Sequence, residues 1–442
     1  MKRLFVRLTL ISLLTLTVGS AAAQNVREMC SKFVHGETGG GRDGTLERPA
    51  RDLGNLISDL IPGDVVCIAE GEYTGRGQRG VDSIEIPVSI IGGFSADFSA
   101  RDPWGAHKTI FTGLHNSDNF ETQTRLSIDT SNFATRLMDA RGEETAHSIV
   151  VDGIIFDNGA RNYYADETES RIIRQGTPSH TPTPESGALT VRTGLNATVL
   201  VQNNIAINFA PTEGVFSFFG GMNADISIRN NIAANNTGAG FRIGTAFTGD
   251  DVPRYSVSNN ISVFNQKHTP FGSFGGSGIM LESSTQVEIT NSIFAFNDNY
   301  GVDNSKRAPE LILNNNIIAA NANADYMEFD IKMRLIDIED EGEFIRDARG
   351  NSNAAVSFDV NPQWGNYYAS RNVIDRNAAE AEVRAVDAWY NDVRSFFGWN
   401  VIGTDLDVDS DIWLPRLSLD DALNIAVMVD GKGVTVPAAE RF

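Results

Sequence analysis

Between residues 187 and 320 hydrophobic positions alternate with polar ones in short runs, and each run ends on asparagine. Val199 and Val201, Ile226 and Ile228, Val287 and Ile289, and Leu311 and Leu313 occupy every second place. A period of two predicts strands with one buried face. The runs end in near copies: "VQNNIAINF", "IRNNIAANN", "VSNNISVFN", "ITNSIFAFN" and "LNNNIIAAN". Helical periodicity is missing here, and paired asparagines and glycines are poor helix formers.

The first asparagines of these copies are Asn203, Asn230, Asn259, Asn291 and Asn315, spaced by 27, 29, 32 and 24 residues. An offset glycine series interleaves with them: Gly187, Gly214, Gly240, Gly278 and Gly301. Each unit therefore predicts a glycine-led strand, a connection, an alternating strand, an asparagine turn and a short apolar strand. Variable spacing with constant strand chemistry means loops of variable length on a constant coil. The expected fold is all-β, a parallel β-solenoid whose coils stack about 4.8 Å apart. Asparagine tolerates the left-handed backbone of a sharp corner, and stacked amides can hydrogen-bond along the axis. The asparagines read as scaffold rather than as ligands.

"GGGRDGTLERPARDLGNLISDLIPGDVVCIAEGEYTG" (39–75) adds a second signal. Its D-G-T…P element and its Pro62, Gly63, Asp64, Val66, Ile68, Gly71 and Tyr73 resemble the opening of pectin-lyase-like proteins. That resemblance implies a right-handed, single-stranded parallel β-helix over roughly residues 35–380. Leu53, Leu56, Ile57 and Leu60 fall at helical spacing, predicting an N-terminal capping helix over the open sheet edge.

"MKRLFVRLTLISLLTLTVGSAAAQ" places Lys2, Arg3 and Arg7 before an apolar run and small residues, the layout of a signal peptide cut after Ala23. The predicted organisation is a signal peptide (1–23), an N-terminal cap and opening strand (24–75), the β-helix (76–380) and a C-terminal cap (381–442). The product is expected to be secreted or periplasmic, monomeric and without a membrane span. The formal charge of −21 becomes about −24 once the leader is removed. So acidic a surface excludes general nucleic-acid binding. It permits an anionic polysaccharide, because a local basic cleft or bridging calcium acts at short range. Cys30 and Cys67 are the only cysteines, and in an oxidising compartment they predict one disulfide.

Two connections are long, 157–186 and 265–277, and both leave the coil at the same corner. They predict the walls of a groove. If the second residue after each glycine points outward, the floor reads Leu189, Phe216, Arg242, Met280 and Asp303. An arginine beside an aromatic suits a carboxylated sugar. β-Elimination on a uronate needs a neutralised carboxylate, a base and an acid. The candidates for catalysis are Arg192, Arg242, Arg254, Lys267 and His268. Phe216, Met280 and Lys306 are the candidates for substrate binding. Calcium is the one cofactor considered, with Asp250, Asp251, Glu282 and Asp303 as its ligands.

"ESGALTVRTGLNATVLVQNNIAIN" is similar to the glycine-strand-arginine stretch of the alginate lyase and chondroitinase B family, which implies Arg192 as an arginine acid. That family's lysine one coil earlier is missing; Arg171 and Arg174 occupy the region. "VPRYSVSNN" resembles the arginine motif of pectate lyases through Arg254, without the second arginine. "DLDVDSD" (405–411) lacks the glycine and glutamate of a helix-loop-helix calcium site and reads as a terminal strand. "DAWYNDVRSFFGW" fits a cap on the last coil. The functional expectation is an exported protein acting on or binding acidic polysaccharide, as a lyase if it is an enzyme. The competing class is a non-catalytic surface or matrix β-helix. An enzyme concentrates ionisable groups in one groove, whereas a binding solenoid spreads them evenly.

Overall fold

The computed structural model describes residues 28–358 apart from 77–79, 113–123, 134–145, 159–186, 210, 212–213, 247–250, 266–274, 283, 309, 354–355, and beyond that 417–423, 426–429 and 432–435. Three long sheets run along one axis. Sheet I has ten strands, from Lys32–Val34 to Ile345–Asp347. Sheet II has eight, from Gly71–Tyr73 to Ile317–Ala319. Sheet III has nine, from Asp82–Ile84 to Ile331–Met333. The chain visits them in rotation. Ala197–Gln202 lies in sheet I, Ile205–Ile207 in sheet II and Gly214–Gly220 in sheet III, and the next coil repeats the order one step higher. Pairing is parallel throughout the three sheets except at the last hairpin, Ala324–Glu328 with Ile331–Met333. The fold is the expected right-handed parallel β-helix.

The alternating residues point inward as predicted. Val199, Val201, Ile226, Ile228, Val287, Ile289, Leu311 and Leu313 are all buried in one continuous core. An aromatic row runs beside them from Tyr73 through Phe111, Phe156 and Phe216 to Phe241. Centroids are 6.0, 5.7, 6.2 and 5.4 Å apart in succession. Tyr73, Phe111 and Phe156 stack in register on sheet II, and Phe216 with Phe241 on sheet III continues the row across the core.

The asparagine corners have two parts. The first asparagine of each pair is left-handed, with φ of 56° at Asn203, 53° at Asn230, 55° at Asn259, 50° at Asn291 and 56° at Asn315. The second forms the ladder. Asn204 Nδ2 donates to Asn231 Oδ1 at 3.0 Å, and Asn231 Nδ2 to Asn260 Oδ1 at 3.0 Å. The line continues through Ser292 to Asn316, whose Nδ2 donates to Asn351 Oδ1 at 3.1 Å. A second amide ladder marks the other end of sheet II. Asn236 donates to Asn265, Asn265 to Asn297 and Asn297 to Asn321, at 3.1, 3.0 and 3.0 Å. Burial makes an unmet amide costly, so each rung depends on its neighbours.

The N-terminal end differs from expectation in one respect. The predicted capping helix is instead a pair of 3-10 turns, Leu53–Asn55 and Ile57–Asp59, with Leu53, Leu56 and Leu60 buried against the first coil. A short stretch holding Gly54 and stopped by Pro62 is too brief to propagate an α-helix. Asp52 caps the first turn by accepting from Asn55 N at 2.8 Å. Cys30 and Cys67 are joined, with Cα atoms 5.7 Å apart, which ties the N-terminal segment to sheet I.

The upper end is closed by the antiparallel hairpin and a turn carrying buried Leu335 and Ile338. Of the expected C-terminal cap, Ala426–Val429 and Lys432–Thr435 form an antiparallel sheet with Val356–Phe358, whereas Leu417–Leu423 lies in mid-stack. Leu417 bonds by its main chain to Asn208, and helix Leu419–Leu423 lies against Ile205–Ile207 in mid-stack. The reason is apolar. Ile205, Ile207, Ile232 and Ile261 face outward from sheet II and share a cluster with Leu417 and Ala422. Residues 1–27, "DAWYNDVRSFFGW" and "DLDVDSD" lie outside the described residues. No described helix is long and apolar enough to cross a membrane.

Candidate functional site

The outward face of sheet III gathers Arg192, Arg242, Met280, Glu282, Asp303 and Lys306 of the predicted residues, though not in the predicted column. Cα pairing runs Ser83, Ser127, Thr190, Ser217, Arg242, Met280, Asp303 and Met327 along one outward line. Arg242, Met280 and Asp303 therefore point outward as expected. Leu189 and Phe216 do not: they pair with Phe241 and Ile279 in the inner line and are fully buried. The error comes from the glycines. Gly214 pairs with Ala239, one residue before Gly240, so the two lower glycines stand one place out of step with the upper three. A one-residue offset turns every side chain of a strand to the opposite face.

A second outward line lies two residues further along: Asp129, Arg192, Phe219 and Gly244. Glu282, next after the Ile243–Leu281 pair, extends it. Phe219 takes the place expected of Phe216. Counting alternation from the buried Phe216 through "FSFF" would have found it. The guanidinium carbons of Arg192 and Arg242 stand 4.9 and 5.0 Å from the Phe219 ring centroid. The ring thus braces two cations and is not free for a sugar. Arg242 Nε donates to Glu282 Oε1 at 2.8 Å, and Lys306 Nζ reaches the same oxygen at 3.3 Å. Arg242 and Glu282 are mostly covered while Lys306 is half exposed. Arg192 differs from both. Among the described residues it has no carboxylate or carbonyl partner, only the ring beneath it.

Asp303, two coils from Arg242 on the first line, is nearly buried. Burial pushes its carboxyl above the ordinary value of 3.8, offset in part by bonds from Ser305 and the charge of Lys306. Tyr300 on the same strand is also raised, by burial first and then by Asp303 and Asp330. Beneath the face, Tyr255 accepts from Gly220 N at 2.7 Å, which holds the end of strand Gly214–Gly220 and so the position of Phe219.

The structure separates the other candidates. Arg254 lies on sheet I, exposed, 3.8 Å from Asp225 of the neighbouring coil. Asp251 is exposed just before that strand. Lys267, His268 and Asp250 lie outside the described residues. Glu282 is engaged by two cations and Asp303 by Ser305, and no three His, Cys, Asp or Glu side chains converge among the described residues.

No protein-family model matches the chain, and no curated protein does. Among solved structures it is similar to pectate lyase Pel9A, with 13% identity over 76% of this chain and 81% of that one and a TM-score of 0.34. The A-module of mannuronan C-5 epimerase AlgE4 from Azotobacter vinelandii shares 14% identity over 66% and 80%, with a TM-score of 0.29. A variant of the periplasmic alginate epimerase AlgG shares 10% over 67% and 83%, with a TM-score of 0.23. No residue role is carried over from these likenesses.

Proposed function

We propose that this is an exported protein that binds acidic polysaccharide along the outer face of sheet III and cleaves it by β-elimination. The observation that carries the reading is Arg192, a guanidinium held on an aromatic ring with no ionic partner among the described residues, on a chain of formal charge −21. A cation kept open on so acidic a surface suits a carboxylated ligand, which it can meet with a two-pronged, charge-assisted fork. The Ser127, Thr190 and Ser217 hydroxyl line beside it suits the hydroxyls of the flanking sugars. In elimination the fork would withdraw charge from the uronate carboxylate and make the neighbouring proton removable. Asp303 stands four coils from the Arg192 strand, about 19 Å along the axis at ~4.8 Å per coil, too far to take that proton. Export rests on the amino-terminal sequence described above.

The test is incubation with alginate, pectate, chondroitin and dermatan, followed by ultraviolet absorbance of unsaturated ends and by calorimetric binding. Unsaturated product that disappears in Arg192→Ala is the expected result. Binding without product would leave the matrix-protein reading standing. Neither binding nor product from any of the four would overturn both.

A further inference from the structure

Glu282 stands in a peculiar place. Its strand neighbour on the second outward line is Gly244, the one residue there without a side chain. A Cβ built at Gly244 would meet Glu282 Oε2 at 3.0 Å, Phe219 Cδ1 at 3.1 Å and Glu282 Cδ at 3.2 Å. The carboxylate therefore lies folded over the bare glycine against the Phe219 ring. Gly244 has ordinary backbone geometry, so no turn requires glycine there; the missing Cβ makes the space. Around that space stand Arg242, bonded to Oε1 at 2.8 Å, and Lys306 at 3.3 Å. Across the ring stands the unengaged Arg192.

From this geometry we infer that the niche over Gly244 is a carboxylate subsite, and that Glu282 occupies it as an internal placeholder which a ligand carboxylate displaces. The inference rests on the reading of this face as a site for acidic polysaccharide. Two cations, Arg242 and Lys306, hold one tethered carboxylate at this position in the free protein, and a third, Arg192, rests on the adjoining Phe219 ring. A ligand must compete with that tether, so its apparent affinity falls by the fraction of molecules in which the niche is open. The tether also keeps the cations aligned and shields them from other anions. The device makes the site selective for polymers that bring several carboxylates, because one carboxylate engaging Arg192 holds the next beside the niche.

The test is titration calorimetry of the folded protein with oligosaccharides of alginate, pectate, chondroitin and dermatan, using Glu282→Gln, Gly244→Ala and Glu288→Gln. Glu282→Gln keeps the shape and removes the competing charge, and is expected to tighten binding by about fivefold or more. Glu288→Gln, an exposed change of equal charge on sheet I, is expected to alter it by less than about twofold. Gly244→Ala fills the niche and is expected to weaken binding about tenfold, with the thermal midpoint retained. Binding by the wild type that is equal or tighter than in Glu282→Gln would overturn the placeholder and leave the proposed function intact. Unchanged binding in Gly244→Ala would overturn the niche. Failure of wild type and Glu282→Gln to bind any of the four would overturn the inference together with the function on which it rests.

Discussion

Two polar stacks run along this molecule, one at the corners of sheet II and one on the outer face of sheet III. At the corner asparagine returns on coil after coil, with Ser292 once in its place, and the amides donate to and accept from their neighbours. Asn231 alone accepts from Asn204 N and Nδ2 and donates to Val201 O, Arg229 O and Asn260 Oδ1. On sheet III the residue changes at each step, from Ser217 to Arg242 to Met280 to Asp303. Repetition with saturated bonding is what a scaffold needs, since every coil faces the same problem of turning a corner. Change from coil to coil at constant register is what a binding face needs, since each subsite meets a different part of a ligand.

The largest effect should come from the saturated stack. Asn231→Ala strands several buried groups and is expected to cost about 3–5 kcal/mol in chemical denaturation. A loss under about 1 kcal/mol would show the ladder to be redundant. Next comes the open face. Arg192→Ala should weaken acidic polysaccharide binding at least about tenfold while changing stability by less than about 0.5 kcal/mol. The reverse pattern would make Arg192 a structural residue and erase the contrast.

A pH series on Asp303→Asn sharpens it further. The folded carboxyl of Asp303 is raised above 3.8, so the native state holds the proton more firmly than the unfolded chain does. Its contribution is fully present below about 3.8 and is lost as pH rises through the raised value. Relative to wild type, Asp303→Asn should therefore gain stability on going from acid to neutral pH, read from melts across that range. A variant that tracks wild type at every pH would deny the raised value. The smallest effect belongs to Arg254→Ala. Its pair with Asp225 is exposed and 3.8 Å long, so both stability, within about 0.5 kcal/mol, and binding should hold. Lost binding would move the site to sheet I.

Much of this fold was legible because a solenoid writes its physics locally. The inward alternation of Val199 and Val201, and the left-handed Asn203 and Asn259, follow from residues a few places apart. Arg242, Met280 and Asp303 were placed outward for the same reason. Phe216 and Leu189 were misplaced because register belongs to pairs of strands. The core had to stack Phe216 on Phe241, and that contact overrode the glycine spacing. Nor could alternation reveal the buried pair of Arg125 with Asp82, whose aspartate occupies an inward position.

By itself, then, the order of residues determined the coil, its corners and its disulfide partners. These rest on near-neighbour sterics and a period of two. Tertiary structure alone decided which aromatic braces the arginines, that Glu282 lies over Gly244, that Arg254 faces another way, and that Leu417 returns to Asn208 in mid-stack. Each of these joins side chains from different coils, and only cross-coil register, set by packing of the whole core, brings them within reach.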